Sequence, residues 1–102
     1  MDKNDAINIA KRYAKYLKKK QCKIKSLFVF GSYCSGEYSE NSDIDIAIVM
    51  ERVSDSFNTM LKYMKYRRNI DIRIEPHIFA RSEFNKQNPL AFRVLNSGVK
   101  IL

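Results

Sequence analysis

Two aspartates one residue apart, Asp43 and Asp45, stand in a run of alternating character, Asp43-Ile44-Asp45-Ile46-Ala47-Ile48-Val49. In a strand, residues two apart share a face and lie about 6–7 Å apart along the backbone, from a rise of ~3.3 Å per residue. Two carboxylates so placed repel unless one takes a proton or a cation sits between them. Mg²⁺ meets that need, because it prefers oxygen ligands and is bound through one or two carboxylates together with substrate phosphates. The pair can hold one ion or bracket two, roughly 3.5–4 Å apart. Asp71, in the alternating run Ile70-Asp71-Ile72-Arg73-Ile74-Glu75, would add a third carboxylate from another strand of the sheet. Upstream, Phe30-Gly31-Ser32 closes an apolar run. A residue without Cβ there lets a phosphate approach the backbone, and the Ser32 hydroxyl and adjacent amides can donate to phosphate oxygens. A phosphate-gripping turn followed by a metal-gripping strand outlines a nucleoside triphosphate site serving in-line attack at phosphorus.

The elements that must position these residues follow from periodicity. From about Asn4 to Gln21, Ile7, Ala10, Ala14 and Leu17 recur at helical spacing, with Asn4 or Asp5 as the cap. Ile24 to Phe30 reads as a strand that ends at Gly31-Ser32. Tyr33 to Ser42, rich in Ser, Gly, Glu and Tyr, reads as a loop, with Ser42 shaping it or bonding Asp43 and counted among the nucleotide-binding residues. Asp43–Val49 is a strand, and 54–66 a helix whose stripe of Phe57, Met60, Leu61 and Met64 belongs to the core. Residues 70–75 form the next strand, which Pro76 ends. One or two short helices fall between Ser82 and Asn96, Gly98 stops the last of them, and Val99–Leu102 is a final strand. The expected fold class is α+β: a small mixed sheet of three or four strands with helices packed mainly on one face.

At 102 residues, 45% hydrophobic and 29% charged, the chain is expected to be a single domain spanning 1–102. No apolar run approaches the ~20 residues of a membrane span, and the N-terminus lacks a signal-peptide stretch. With only Cys22 and Cys34, this points to reduced thiols in the cytoplasm. His77 is the only histidine and reads as structural. The net charge of +8 is concentrated: residues 1–25 carry nine Lys and Arg against Asp2 and Asp5, whereas residues 26–102 carry ten against nine acids. That N-terminal excess can meet nucleic acid, an acidic protein or a nucleotide's phosphates.

Gly31-Ser32, ten residues, then Asp43-Ile44-Asp45 reproduces a G-S-x10-D-x-D signature, and FGSYCSGEYSENSDIDIAIV resembles the minimal nucleotidyltransferases of the polymerase-β-like superfamily. The likeness runs through nearly the whole chain: basic helix, Gly-Ser strand, acidic strand, helix, third acidic strand, helical tail. It implies a polymerase-β palm-like fold, with Gly31 and Ser32 on the nucleotide's phosphates and Asp43 and Asp45 on Mg²⁺, two ions being the usual number. Asp71 matches the third carboxylate, which helps activate the acceptor hydroxyl, and Glu75 is a second candidate for that place. Many relatives carry an arginine soon after Gly-Ser. Here Tyr33-Cys34-Ser35 stand instead, and a base from the N-terminal helix would have to substitute. The resemblance implies transfer of AMP from ATP to an acceptor hydroxyl, with the acceptor gripped by another polypeptide or a homodimer. Minimal members pair with small helical proteins of the HEPN class as antitoxins. Two other readings stay open: a nucleotide-binding module that masks a helical partner without turnover, and nucleic-acid binding through the basic helix. The second lacks an aromatic stacking platform and a recognised nucleic-acid module.

Overall fold

The computed structural model describes residues 1–39 and 41–102; Glu40, within the expected loop, lies outside the described residues. Helix α1 (Lys3–Lys19) starts at Asp2, whose carboxylate accepts from the Asp5 backbone N–H at 2.9 Å while Asp5 accepts from the Asp2 N–H at 3.1 Å. This reciprocal capping satisfies two otherwise orphaned donors and moves the cap two residues ahead of Asn4. Ala6, Ala10, Tyr13, Ala14 and Leu17 line its buried face. Gln21, with φ of 60°, turns the chain out of the helix toward the sheet.

Strand β1 (Ser26–Phe30) leads to Gly31 and a short helix α2 (Ser32–Ser35), so part of the expected loop is helical. Strand β2 (Ile44–Met50) is followed by α3 (Ser56–Tyr66), capped by Asp55 through the Asn58 N–H at 3.0 Å. After a 3₁₀ turn (Arg67–Asn69) comes β3 (Ile74–Ala80), then helix α4 (Pro89–Ser97), with Asn88 as its cap, and the two-residue strand β4 (Val99–Lys100). Sheet order is β3-β2-β1-β4. Strands β1/β2 and β1/β4 pair antiparallel and β2/β3 parallel.

The third strand therefore differs from the alternation in 70–75. Asp71 donates its backbone N–H to the Arg67 carbonyl at 2.8 Å, which continues the turn, and Ile72 is 72% exposed where a core-facing strand residue would be buried. Pro76 does not end the strand but lies inside it, opposite Ile46. Because β3 is an edge strand, one side of its backbone needs no ladder partner, and a residue without N–H is tolerated there.

The sheet is covered unequally. Helices α1 and α3 pack on one face against Leu27, Val29, Ile44, Ile46, Ile48 and Ile74. The shorter α4 covers part of the other, where Phe30, Ala47, Val49 and Phe79 meet Ala91 and Val94. Among the described residues, no helix is long and apolar enough to cross a membrane.

Candidate active site

Alternation along β2 sends Ile44, Ile46 and Ile48 into the α1/α3 layer and leaves Asp45 on the same side as Ala47 and Val49, toward α4. Parallel pairing sets Asp45 opposite Glu75 and Ala47 opposite His77, so Glu75 and His77 come to this face beside Asp45. Ligand atoms of Asp45, Glu75 and His77 all lie within 4.8 Å of one another. His77 Nε2 bonds Asp45 Oδ1 at 3.1 Å, and its ring packs edge-on against Phe30 with centroids 5.0 Å apart. Asp43, just before β2 and solvent-exposed, reaches Glu75 within hydrogen-bonding range. Burial, the hydrogen bond with Asp43 and the Asp45 charge together hold the Glu75 carboxyl above its ordinary range, against the opposing pull of His77.

Gly31 completes the site from β1. Antiparallel pairing places Phe30 opposite Asp45, so the next residue comes up against the Asp45 side chain. A Cβ on Gly31 would overlap Asp45 Oδ2 and sit 3.1 Å from Cγ, and its φ of 82° is one that L side chains rarely adopt. Glycine is thus required twice over, by conformation and by space. Ser32 follows as the first residue of α2; its carbonyl accepts from the Gly36 and Glu37 N–H groups at 3.0 and 3.1 Å, which fixes the turn. Ser42 serves the connection between α2 and β2: its Oγ accepts from the Ser39 N–H at 2.8 Å, and its carbonyl accepts from the Tyr33 hydroxyl at 3.5 Å. Tyr33 is buried and stacks on Tyr38 at 4.9 Å, so it packs the stretch after Gly31-Ser32. Both cysteines are free; the Cys34 thiol donates to the Val29 carbonyl at 3.2 Å, and burial pushes its pKa up.

Asp43, Asp45, Gly31 and Ser32 are thus brought to one end of the sheet, and Asp71 is not grouped with them. The Asp71 carboxylate is taken up by Arg73, through the backbone N–H at 2.9 Å, Nε at 3.0 Å and Nη2 at 2.7 Å. That bidentate pair holds the Asp71 carboxyl below its usual range. The acid that the structure places beside Asp45 is Glu75. His77, which the sequence reads as structural, comes beside Asp45 because β3 continues through Pro76, and the spacing Glu75-x-His77 is the signal that an extended strand would carry. Two carboxylates and the His77 imidazole converge, a donor set that fits a divalent cation, and Mg²⁺ would be held there through the carboxylate oxygens.

Residues 11–102 match the family described as Polymerase beta, Nucleotidyltransferase, and the chain belongs to that family. A candidate protein adenylyltransferase of Methanocaldococcus jannaschii is 40% identical over 63 residues, 61% of this chain and 62% of that protein, so the match spans less than two thirds of the relative's length. A crystal structure of a candidate nucleotidyltransferase from Sulfolobus solfataricus superposes with a TM-score of 0.65 at 20% identity, covering 79% of this chain and 72% of that one. A chain from the complex of tri-AMPylated Shewanella oneidensis HEPN toxin with MNT antitoxin gives a TM-score of 0.55 at 17% identity, covering 98% and 71%. The fold is that of the nucleotidyltransferases.

Proposed function

We propose that the chain transfers AMP from ATP to a hydroxyl on a partner protein of the HEPN class, as the antitoxin of a toxin–antitoxin pair in the cytoplasm. The observation that carries the reaction is the convergence of Asp45, Glu75 and His77 beside Gly31, with Asp43 just before β2 acting on Glu75. Support for AMP and for the partner comes from the name of the archaeal relative and from the AMPylated HEPN toxin bound to its antitoxin.

In this reading the Gly31-Ser32 turn seats the β- and γ-phosphates, and the absence of a Cβ on Gly31 lets the Asp45 carboxylate stand directly beside that turn. Asp43, Asp45 and Glu75 hold Mg²⁺, which when bound supplies charge neutralisation along the triphosphate. Asp71 has no part in it. The Glu75 carboxylate takes the proton of the acceptor hydroxyl as that oxygen bonds the α-phosphorus; the bond to the bridging oxygen breaks and pyrophosphate leaves. His77 keeps Asp45 oriented through the 3.1 Å contact.

The test is transfer of label from α-labelled ATP, with Mg²⁺ and a purified HEPN-class protein from the same organism. Label should appear on the partner and disappear with Asp43→Asn plus Asp45→Asn. No label on any partner, or label that survives the double change, overturns the proposal. A complex that forms and persists without transfer would instead mark a masking module.

A further inference from the structure

The excess charge of the N-terminal region lies on the sheet face opposite the site, and the fold extends it. No Asp or Glu occurs from Ala6 to Gly36, nor from Ser56 to Ile70. These two stretches contain α1 from Ala6 onward and the whole of α3, which lie side by side: the Tyr13 hydroxyl donates to the Tyr63 carbonyl at 2.9 Å, Tyr16 and Tyr66 meet edge-on at 5.8 Å, and Asn69 donates to the Tyr16 hydroxyl at 2.9 Å. Two segments without a single acid, 50 residues apart in sequence at that first contact, are therefore merged into one surface.

Between them runs a groove of about 230 Å³ lined by Arg12, Lys15, Tyr16, Lys19 and Ile70. Arg12, Lys15 and Lys19 follow helical spacing on one side of α1 and are exposed. Lys20 places its ammonium 5.5 Å from the centre of the Tyr16 ring, and Lys62, from α3, stands 5.9 Å from Tyr66. The nearby Asp71 is bonded by Arg73 and also feels the Arg12 charge, so it offsets part of the groove's positive charge at that end. So many like charges repel one another and destabilise the compact state. The tyrosine rings are engaged by one another and by the lysines, so what the face presents is a row of cations, which complements the regularly spaced charge of a phosphodiester chain.

We propose that the α1/α3 face binds the phosphodiester backbone of a nucleic acid, with Arg12, Lys15, Lys19 and Lys62 as phosphate contacts and Tyr16 flooring the groove. This surface is separate from the Asp45–Glu75 site and does not depend on which acceptor that site uses.

The experiment is fluorescence anisotropy with the full chain and three probes: a 20-nucleotide mixed-sequence RNA, a 20-base-pair DNA and a 20-residue polyglutamate. Four phosphate contacts give a salt slope of about −2.8 for single strands and about −3.6 for a duplex. Raising salt from 50 to 200 mM should then weaken binding about 50-fold for RNA and about 150-fold for DNA. Lys15→Gln with Lys19→Gln should weaken it roughly tenfold or more and reduce the slope by about 1.4 or 1.8. Lys86→Gln with Arg93→Gln, which removes the same charge from the α4 side, should change affinity less than about threefold, a matched control for net charge alone. Tighter binding of RNA or of DNA identifies the source of the phosphodiester, and either supports the proposal. Equal loss in both double variants, polyglutamate binding as tight as the oligonucleotides, or no binding at 50 mM salt overturns it.

Discussion

Glu75→Gln and Asp71→Asn separate the two acids that compete for the third place at the site, and their effects should be opposite in kind. Glu75 sits opposite Asp45 across the parallel pair and within reach of Asp43, so a neutral isostere removes a proton acceptor and a cation ligand together. Loss of a positioned general base costs about 10²–10⁴ in rate, or roughly 2.7–5.5 kcal/mol of barrier. The same change relieves crowding among three carboxyl groups, so the metal-free protein should be as stable as the parent or more so. Asp71 makes three contacts with Arg73 and none with the Asp45 group. With the Arg73 side chain 42% exposed, the ion pair is worth little, and loss of the charged acceptor for the backbone N–H brings the total to about 1 kcal/mol. For a domain of this size that is a fall in Tm of roughly 4–8 °C. The assays are thermal unfolding in EDTA, Mg²⁺-dependent ATP binding by calorimetry, and label transfer well below both melting points. Asp71→Asn should keep transfer within about threefold of the parent, since it touches nothing that reacts. If Asp71→Asn abolishes transfer while Glu75→Gln retains it, the assignment drawn from strand register is wrong.

Gly31→Ala should lose ATP binding and destabilise the fold by about 1–3 kcal/mol for the φ of 82°, plus a similar amount for overlap with Asp45. In a denaturation cycle with Asp45→Ala the overlap portion should vanish; additive losses would show that the carboxylate is not what Gly31 accommodates. In EDTA, the raised Glu75 pKa means stability is fully present below the ordinary glutamate value of about 4.3 and is lost as pH rises through the folded-state value. Urea midpoints should therefore fall with rising pH in the parent relative to Glu75→Gln, and Mg²⁺ should restore them. Asp71 carries the reverse sign: its lowered pKa contributes stability above the ordinary aspartate value, lost as pH falls through the folded one, and Asp71→Asn should be flat across that window. Tyr13→Phe, which deletes a buried 2.9 Å bond to a carbonyl that the Arg67 N–H still satisfies, should cost about 1 kcal/mol by urea denaturation without changing ATP binding.

Much of the site was legible because its parts are local. Asp43 and Asp45 announce themselves by strand alternation, and Gly31-Ser32 by the abrupt end of an apolar run. Helix α1 shows in its stripe of Ala10, Ala14 and Leu17, although the cap is Asp2, because the Asp2–Asp5 exchange of hydrogen bonds outweighs a cap by Asn4. What failed was the third strand. Ile70, Ile72 and Ile74 alternate as a strand should, yet only Ile74 is buried, since the 3₁₀ turn at Arg67–Asn69 carries on to Asp71 through its bond to Arg67. Pro76 was read as a terminator by a rule for central strands, and whether a strand is at the edge is a fact of tertiary structure. Helix α2 went unread because four residues, Ser32–Ser35, are too few to show a period.

The chemistry depends on a single property of the mixed sheet, that three strand ends meet at one place. Strands β1 and β2 are antiparallel, so the exit of β1 at Phe30 lies beside the entrance of β2 at Asp45. Strands β2 and β3 are parallel, so the entrance of β3 at Glu75 lies there as well. A parallel pair needs a crossover, which α3 and its 3₁₀ turn supply on the α1 side of the sheet. The length of that crossover fixes which acid arrives. A shift of one residue in β3 would turn Glu75 and His77 into the α1/α3 core and bring Ile74 and Pro76 to the site face, stranding Asp43 and Asp45 without a third ligand. Inserting one residue in the exposed turn before Ile74 should therefore be absorbed there, with register and activity kept, because burial of Ile74 against the helices opposes the slip. Loss of Mg²⁺-dependent ATP binding in a folded insertion variant would show that the turn, and not the core, holds β3 in register.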